Sequence, residues 1–165
     1  MCGIAALFAY GPSAPLVAAD ELAKINQAMI RRGPDGGGSW ISGDRRVGLA
    51  HRRLAIIDPN IRANQPMVIS QRYWITFNGE IYNFRALRTE LQSEGVDFTT
   101  ESDTEVLLRL YERDGDGMIS KLRGMFAFII WDEAERRLFM ARDAFGIKPL
   151  YIADNGSTIR IASSV

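Results

Sequence analysis

The period of the hydrophobic positions changes several times along the chain, and each change marks an element. Gly3–Ala9 is a near-continuous apolar run of strand length, starting almost at the chain terminus. Over residues 20–32, Leu22, Ile25 and Met29 recur at helical spacing until Gly33-Pro34 stops them, because a proline disfavours helix at the residue before it. Short strand-like pieces follow at 40–41, 47–50, 54–57 and 73–77, separated by Gly, Asp, Asn and Pro. Helical spacing then returns twice. Asn83 is placed to cap a helix running to about Glu94, with Phe84, Leu87 and Leu91 on one face and Gly95 ending it. Ser102-Asp103-Thr104-Glu105 has the form of a capping box, and Val106, Leu107, Leu110 and Tyr111 continue it as an apolar stripe. From Met125 the pattern is again that of strands, at 125–131, 137–141, 150–153 and 158–162, with Asp132-Glu133 and Asn155-Gly156 as turns of an antiparallel group.

Runs of strands and runs of helices, rather than strict alternation, place the chain in the α+β class and not among doubly wound parallel sheets. There is no internal repeat, and residues 10–15 and 32–39 read as short loops inside one domain. A length of 165 residues with 47% apolar side chains suffices for one domain with a substantial core. The last residues, Ala162-Ser163-Ser164-Val165, break off within a strand-like segment, which reads as a fragment of a longer protein.

Charge and cysteine content narrow the function classes. Twenty basic residues balance twenty acidic ones, so no net positive field is available to hold a polyanion, and nucleic acid is a poor partner. The longest apolar run, 125–131, falls far short of the roughly 20 residues a membrane helix needs. The N-terminus lacks the basic segment of a signal peptide, and a single cysteine cannot form an internal disulfide, which together fit the cytoplasm.

That cysteine is Cys2. A lone cysteine is ordinarily a small buried apolar residue, but removal of Met1 would leave Cys2 with a free α-amine beside its own thiol, a nucleophile and a base on one residue. His51, the only histidine, offers a competing Cys–His pair, although a structural histidine at a strand end is commoner; one Cys and one His do not make a zinc site. Asn78-Gly79 after an apolar strand is either a hairpin turn or a pair of amide donors fit for an oxyanion hole. Taken singly, Arg53 is one more solvated arginine, Glu80 a surface acid and Asp103 a favourable charge in a first helical turn.

Together these pieces resemble the glutaminase domain of class II glutamine amidotransferases, most closely the N-terminal half of glutamine-dependent asparagine synthetases. Seven blocks in matching order carry the likeness: Met1-Cys2-Gly3-Ile4, Arg32-Gly33-Pro34-Asp35-Gly36, Ala50-His51-Arg52-Arg53-Leu54, Asn78-Gly79-Glu80-Ile81-Tyr82-Asn83, Ser102-Asp103-Thr104-Glu105, Gly124-Met125-Phe126-Ala127-Phe128, and Arg142-Asp143 with Phe145-Gly146-Ile147-Lys148-Pro149-Leu150-Tyr151. Arg31, Ala144 and Ser164 depart from the commonest pattern and bear on the subfamily.

The resemblance implies an N-terminal-nucleophile hydrolase fold, a four-layer α/β/β/α sandwich of two antiparallel sheets between helices, spanning residues 1–165. It implies that Cys2 attacks the carboxamide of L-glutamine with its own α-amine as base, that Asn78 and Gly79 form the oxyanion hole, that Arg53 binds the α-carboxylate, and that Asp103 and Glu80 bind the α-ammonium. No metal or cofactor is implied for this domain; ATP and Mg²⁺ belong to a C-terminal synthetase domain that would use the ammonia to amidate aspartate. Its implied partners are that domain and, in an oligomer, a second copy as a homodimer. Three other readings stand beside it: a paralogue with a different acceptor, a catalytically silent glutamine-binding or interaction module, and a Cys2–His51 hydrolase.

Overall fold

The structure is a computed structural model that describes residues 1–165. Strand β1 (Gly3–Ala9) is the middle strand of a five-stranded sheet of order β2-β3-β1-β9-β8, completed by β2 (Gly36–Ile41), β3 (Val47–Arg53), β8 (Tyr151–Asp154) and β9 (Thr158–Ala162). A second sheet has the order β4-β5-β6-β7, with β4 (Met67–Ile69), β5 (Tyr73–Ile81), β6 (Gly124–Asp132) and β7 (Arg137–Arg142). Every strand pair is antiparallel. Helix α1 (Ala19–Ala28) packs on the first sheet, while α2 (Phe84–Ser93) pairs with α3 (Asp103–Asp114), which packs on the second. The two sheets face each other, so the layers run helix, sheet, sheet, helix.

Three apolar clusters fill the gaps between these layers, and the side-chain alternation of the strands divides residues among them. In β1, Ile4 and Ala6 point between the sheets while Ala5 and Leu7 point to α1. In β6, Ala127, Ile129 and Trp131 join the inter-sheet cluster, and Phe126, Phe128 and Ile130 join the cluster under α2 and α3. Strands buried on both faces show no polar alternation, which is why these two read as unbroken apolar runs. Trp40 of β2 stacks on Trp74 of β5 with ring centroids 4.2 Å apart, tying the sheets at one side.

Several elements differ from the sequence expectation. The first helix ends at Ala28 and tightens into a 3₁₀ turn at Ile30–Arg32, a common way for a helix end to satisfy its carbonyls. Residues 36–38 lie in β2 rather than in a loop; a Cβ on Gly38 would stand 2.4 Å from the Gln65 carbonyl oxygen, so only glycine allows that approach. Residues 54–57 are not a strand, because β1 and β2 supply partners only as far as Arg52 and Arg53. Asn83 does not cap α2: its amide donates to the Lys121 carbonyl and accepts from the Arg123 N–H. The cap at Ser102 forms, its Oγ accepting from the Glu105 N–H. The Glu105 carboxylate reaches past Ser102 to the N–H groups of Thr99 and Thr100. Asn78-Gly79 is no hairpin, since β5 runs on to Ile81 in register with β6.

Phe128 is fully buried between Phe126 and Phe139. Phe128→Ala is expected to lower the unfolding free energy by about 3–5 kcal/mol in urea titration, whereas Ile56→Ala, at a side chain 76% exposed, should change it by no more than about 0.5 kcal/mol.

Candidate active site

A cleft of about 100 Å³ opens where the start of β1, the end of β3 and the far half of β5 converge. Cys2, the residue before β1, is half-buried at its wall, with Sγ 3.4 Å from the Leu54 N–H that donates to it. Gly3 pairs with Arg52, so the thiol is fixed by sheet register beside the residues that follow β3. Arg32 Nε donates to the Cys2 carbonyl at 3.2 Å. Met1 stands in the same cleft, its Sδ 3.0 Å from Lys148 Nζ.

Arg53, the last residue of β3, is 7% exposed and lines the cleft. Its guanidinium is held by the loop over residues 58–64: Nη1 donates to the Asn60 carbonyl at 3.0 Å and to Asn64 Oδ1 at 2.7 Å, and Nη2 donates to the Asp58 carbonyl. All three acceptors are neutral, and no carboxylate pairs with Arg53. An oriented, uncompensated cation is suited to a ligand carboxylate.

Another part of the lining comes from β5. Strand β4 pairs only with Tyr73 to Ile75, so beyond that point one edge of β5 has no neighbouring strand. In an antiparallel strand alternate residues turn their N–H and C=O groups to the same edge. Phe77, Gly79 and Ile81 face this open edge: the Phe77 N–H donates to Gln65 Oε1 at 2.6 Å, and the Ile81 N–H donates to Asp103 Oδ2 at 3.1 Å. Gly79 lies between them in phase, so its N–H turns into the cleft. A Cβ at Gly79 would stand 2.3 Å from the Met125 carbonyl oxygen, which excludes any other residue there. Asn78 is 1% exposed, and its Nδ2 is a buried donor with no partner. Asn78 and Gly79 both line the cleft, and paired amide donors are the kind of group that stabilises a developing oxyanion.

Asp103 opens α3 and lines the cleft at 5% exposure, with Glu80 close by. Burial pushes its carboxyl up to about 6; the Ile81 N–H and the first N–H groups of α3 counter that shift, and the Glu80 charge adds to it. A cation, two carboxylates, a thiol and amide donors line one cleft, a set that suits a zwitterion carrying a carbonyl side chain.

All six sequence-derived site residues, Cys2, Arg53, Asn78, Gly79, Glu80 and Asp103, line this one cleft. His51 does not. It is fully buried between the sheets, where Nε2 donates to the Phe77 carbonyl at 3.1 Å, and burial with the nearby Arg53 charge pushes it down to about 4. It is a neutral strut and not a base for Cys2, whose Sγ meets Leu54 instead. No group of three or more His, Cys, Asp or Glu is placed to hold a metal, and no helix is long and apolar enough to cross a membrane. Gln65, which also lines the cleft, carried no periodic or charge signal in the sequence, and Lys148 entered only as one residue of the seventh block.

The glutamine amidotransferase domain family model matches residues 1–165. Asparagine synthetase [glutamine-hydrolyzing] 1 of Bacillus subtilis (strain 168) is 46% identical over 165 residues, covering 99% of this chain and 26% of that protein. A putative asparagine synthetase [glutamine-hydrolyzing] of Mycobacterium tuberculosis (strain ATCC 25618 / H37Rv) is 41% identical over 176 residues, covering 99% and 27%. The chain thus spans about a quarter of the length of the curated relatives it matches. Among solved structures, glutamine phosphoribosylpyrophosphate amidotransferase from B. subtilis superposes with a TM-score of 0.79 at 23% identity, covering 98% of this chain and 42% of that one. That likeness shows the same fold, the N-terminal-nucleophile type of sandwich.

Because folding raises the Asp103 pKa from near 3.8 to about 6, its ionisation opposes folding above pH 6 and has no effect below the unfolded value. Asp103→Asn is therefore expected to be the more stable protein at pH 7.5, by on the order of 2 kcal/mol. The advantage should disappear in thermal melts as pH falls from 6 to below 4.

Proposed function

The chain belongs to the glutamine amidotransferase domain family, and from that membership we propose that it hydrolyses L-glutamine to glutamate and ammonia, with Cys2 as an N-terminal nucleophile. The observation that best supports this reading is the unpartnered Asn78 amide, buried at the cleft that also holds Cys2, Arg53 and Asp103.

Removal of Met1 frees the α-amine of Cys2 and clears the cleft of the methionine side chain. The amine takes the thiol proton as Sγ bonds to the amide carbon, and the carbonyl π electrons move to oxygen. Asn78 Nδ2 and the Gly79 N–H hold that oxyanion. The proton passes to the amide nitrogen, the C–N bond breaks, ammonia leaves, and a thioester remains on Sγ. Water then attacks the thioester with the amine again as base, and the C–S bond breaks to give glutamate and the free thiol. Arg53 holds the substrate α-carboxylate, and Asp103 with Glu80 holds its α-ammonium, whose charge relieves the repulsion between the two acids.

Residues 1–165 are the glutaminase domain of a longer chain in this reading. Ammonia passes to an ATP- and Mg²⁺-dependent synthetase domain that amidates aspartate, and no cofactor acts in the glutaminase step. The length and the names of the relatives at 46% and 41% identity support that acceptor over others. A cytoplasmic location keeps the thiol reduced. Light scattering on the purified protein reads whether it forms the homodimer that the resemblance allows.

The test is ammonia release from L-glutamine after intact mass confirms loss of Met1. Cys2→Ala is expected to abolish it, and Asn78→Ala to lower kcat by about 10²–10³-fold. Arg53→Ala should raise the glutamine KM at least tenfold, on the order of one lost charge-assisted contact. Full activity with an extended N-terminus would refute the mechanism.

A further inference from the structure

The open edge of β5 raises a question of precision. An oxyanion hole acts only if its donors stand at the position the oxygen will occupy, yet β5 has a neighbouring strand, β6, on only one edge where Asn78 and Gly79 lie. Side chains take the place of the missing strand. The Phe77 N–H can only donate, so the atom of Gln65 facing it at 2.6 Å is the carbonyl Oε1. The Gln65 Nε2 is then free to donate to Thr104 Oγ1 at 3.1 Å. On the same open edge the Phe77 carbonyl accepts from His51 Nε2 at 3.1 Å. Gln65 is 7% exposed, Thr104 3% and His51 0%, so water does not compete for these bonds.

The three anchors sit next in sequence to the groups that would hold substrate. His51 lies two residues before Arg53 on β3, Phe77 directly before Asn78-Gly79 on β5, and Thr104 directly after Asp103 on α3. One buried chain of hydrogen bonds therefore spans the carboxylate holder, the oxyanion donors and the ammonium holder, and Gln65 is its only member outside those three elements. We propose that Gln65 is a positioning residue, which with Thr104 and His51 sets the spacing between the Asn78-Gly79 donors and the groups that grip the substrate head.

The inference rests on the glutaminase reading above. Its signature is a loss in kcat. The long side chains of Arg53 and Glu80 adapt to small displacements when they bind the ground state, whereas a backbone N–H that must meet a developing charge does not. A side chain that merely filled space would leave kcat unchanged when replaced by an apolar group of similar volume.

The experiment compares wild type, Gln65→Met, Thr104→Val, the double variant and Thr104→Ser, each confirmed to lack Met1 and to melt cooperatively. Gln65→Met is expected to lower kcat for glutamine hydrolysis by about ten- to a hundredfold, with KM held within about threefold. Thr104→Val should lower kcat by about fivefold or more, the double variant should fall no lower than Gln65→Met, and Thr104→Ser, which keeps the hydroxyl, should stay within about twofold of wild type. Unchanged kcat in folded Gln65→Met, a loss carried by KM alone, or effects that multiply in the double variant would each overturn the proposal. If Gln65→Met does not fold, the contrast between Thr104→Val and Thr104→Ser decides. A wild type without Cys2-dependent hydrolysis sinks the glutaminase reading and this proposal together, whereas an active wild type matched by Gln65→Met sinks only the proposal.

Discussion

Strand β5 outlasts its neighbour β4, and the site is organised by how the chain meets the backbone groups left over. A buried N–H or C=O without a partner costs roughly as much as a lost hydrogen bond, so an open sheet edge inside a protein must be answered group by group. Phe77 is answered by Gln65 and His51, and Ile81 by Asp103. Between them, Gly79 is turned to the cleft, where a ligand atom can serve. A regular four-stranded ladder would have satisfied this backbone and left nothing to bind with.

The same trade appears in the charges. Arg53 is held by neutral oxygens and paired with no acid, and Asp103 is buried beside a second carboxylate rather than beside a cation. Arg53 and Asp103 line the same cleft, yet the hydrogen bonds of each are to neutral groups. Elsewhere the chain pairs its charges freely, as in the Arg72–Asp132 bridge at 2.7 Å and the cluster of Arg113 with Glu90, Glu94 and Asp114. At the cleft, by contrast, the cation and the acids are left without counter-ions.

Much of this was legible in the amino-acid pattern because the inner strands leave strong traces. The run at β1 and the run at β6 are apolar on both faces, and the stripe of α3 follows a true cap at Ser102, so both sheets and the helix beneath the site announced themselves. The six site residues were legible only as a set, since each alone has an ordinary structural role. What stayed hidden depends on partners distant in sequence. Residues 54–57 have strand composition but no strand to pair with, Asn83 finds better partners at Lys121 and Arg123 than in its own helix, and the glycines at 36–38 look like a loop until β3 lies beside them. Gln65 shows no periodicity at all; its importance arises from the edge it happens to reach.

The central position of β1 sets a timetable during synthesis. Its two neighbours are β3 and β9, and its first residues are clasped by Ser163, whose N–H donates to the Ile4 carbonyl and whose Oγ accepts from the Ile4 N–H. In synthesis β1 must therefore wait for Ser163, 159 residues beyond Ile4, before it is fully paired. At about 5–20 residues per second the wait is on the order of ten seconds or more. Throughout that interval the edge of β1 that β9 will cover stays unpaired. The strand that follows Cys2 is thus the seam at which the first sheet closes, joining segments far apart in the chain.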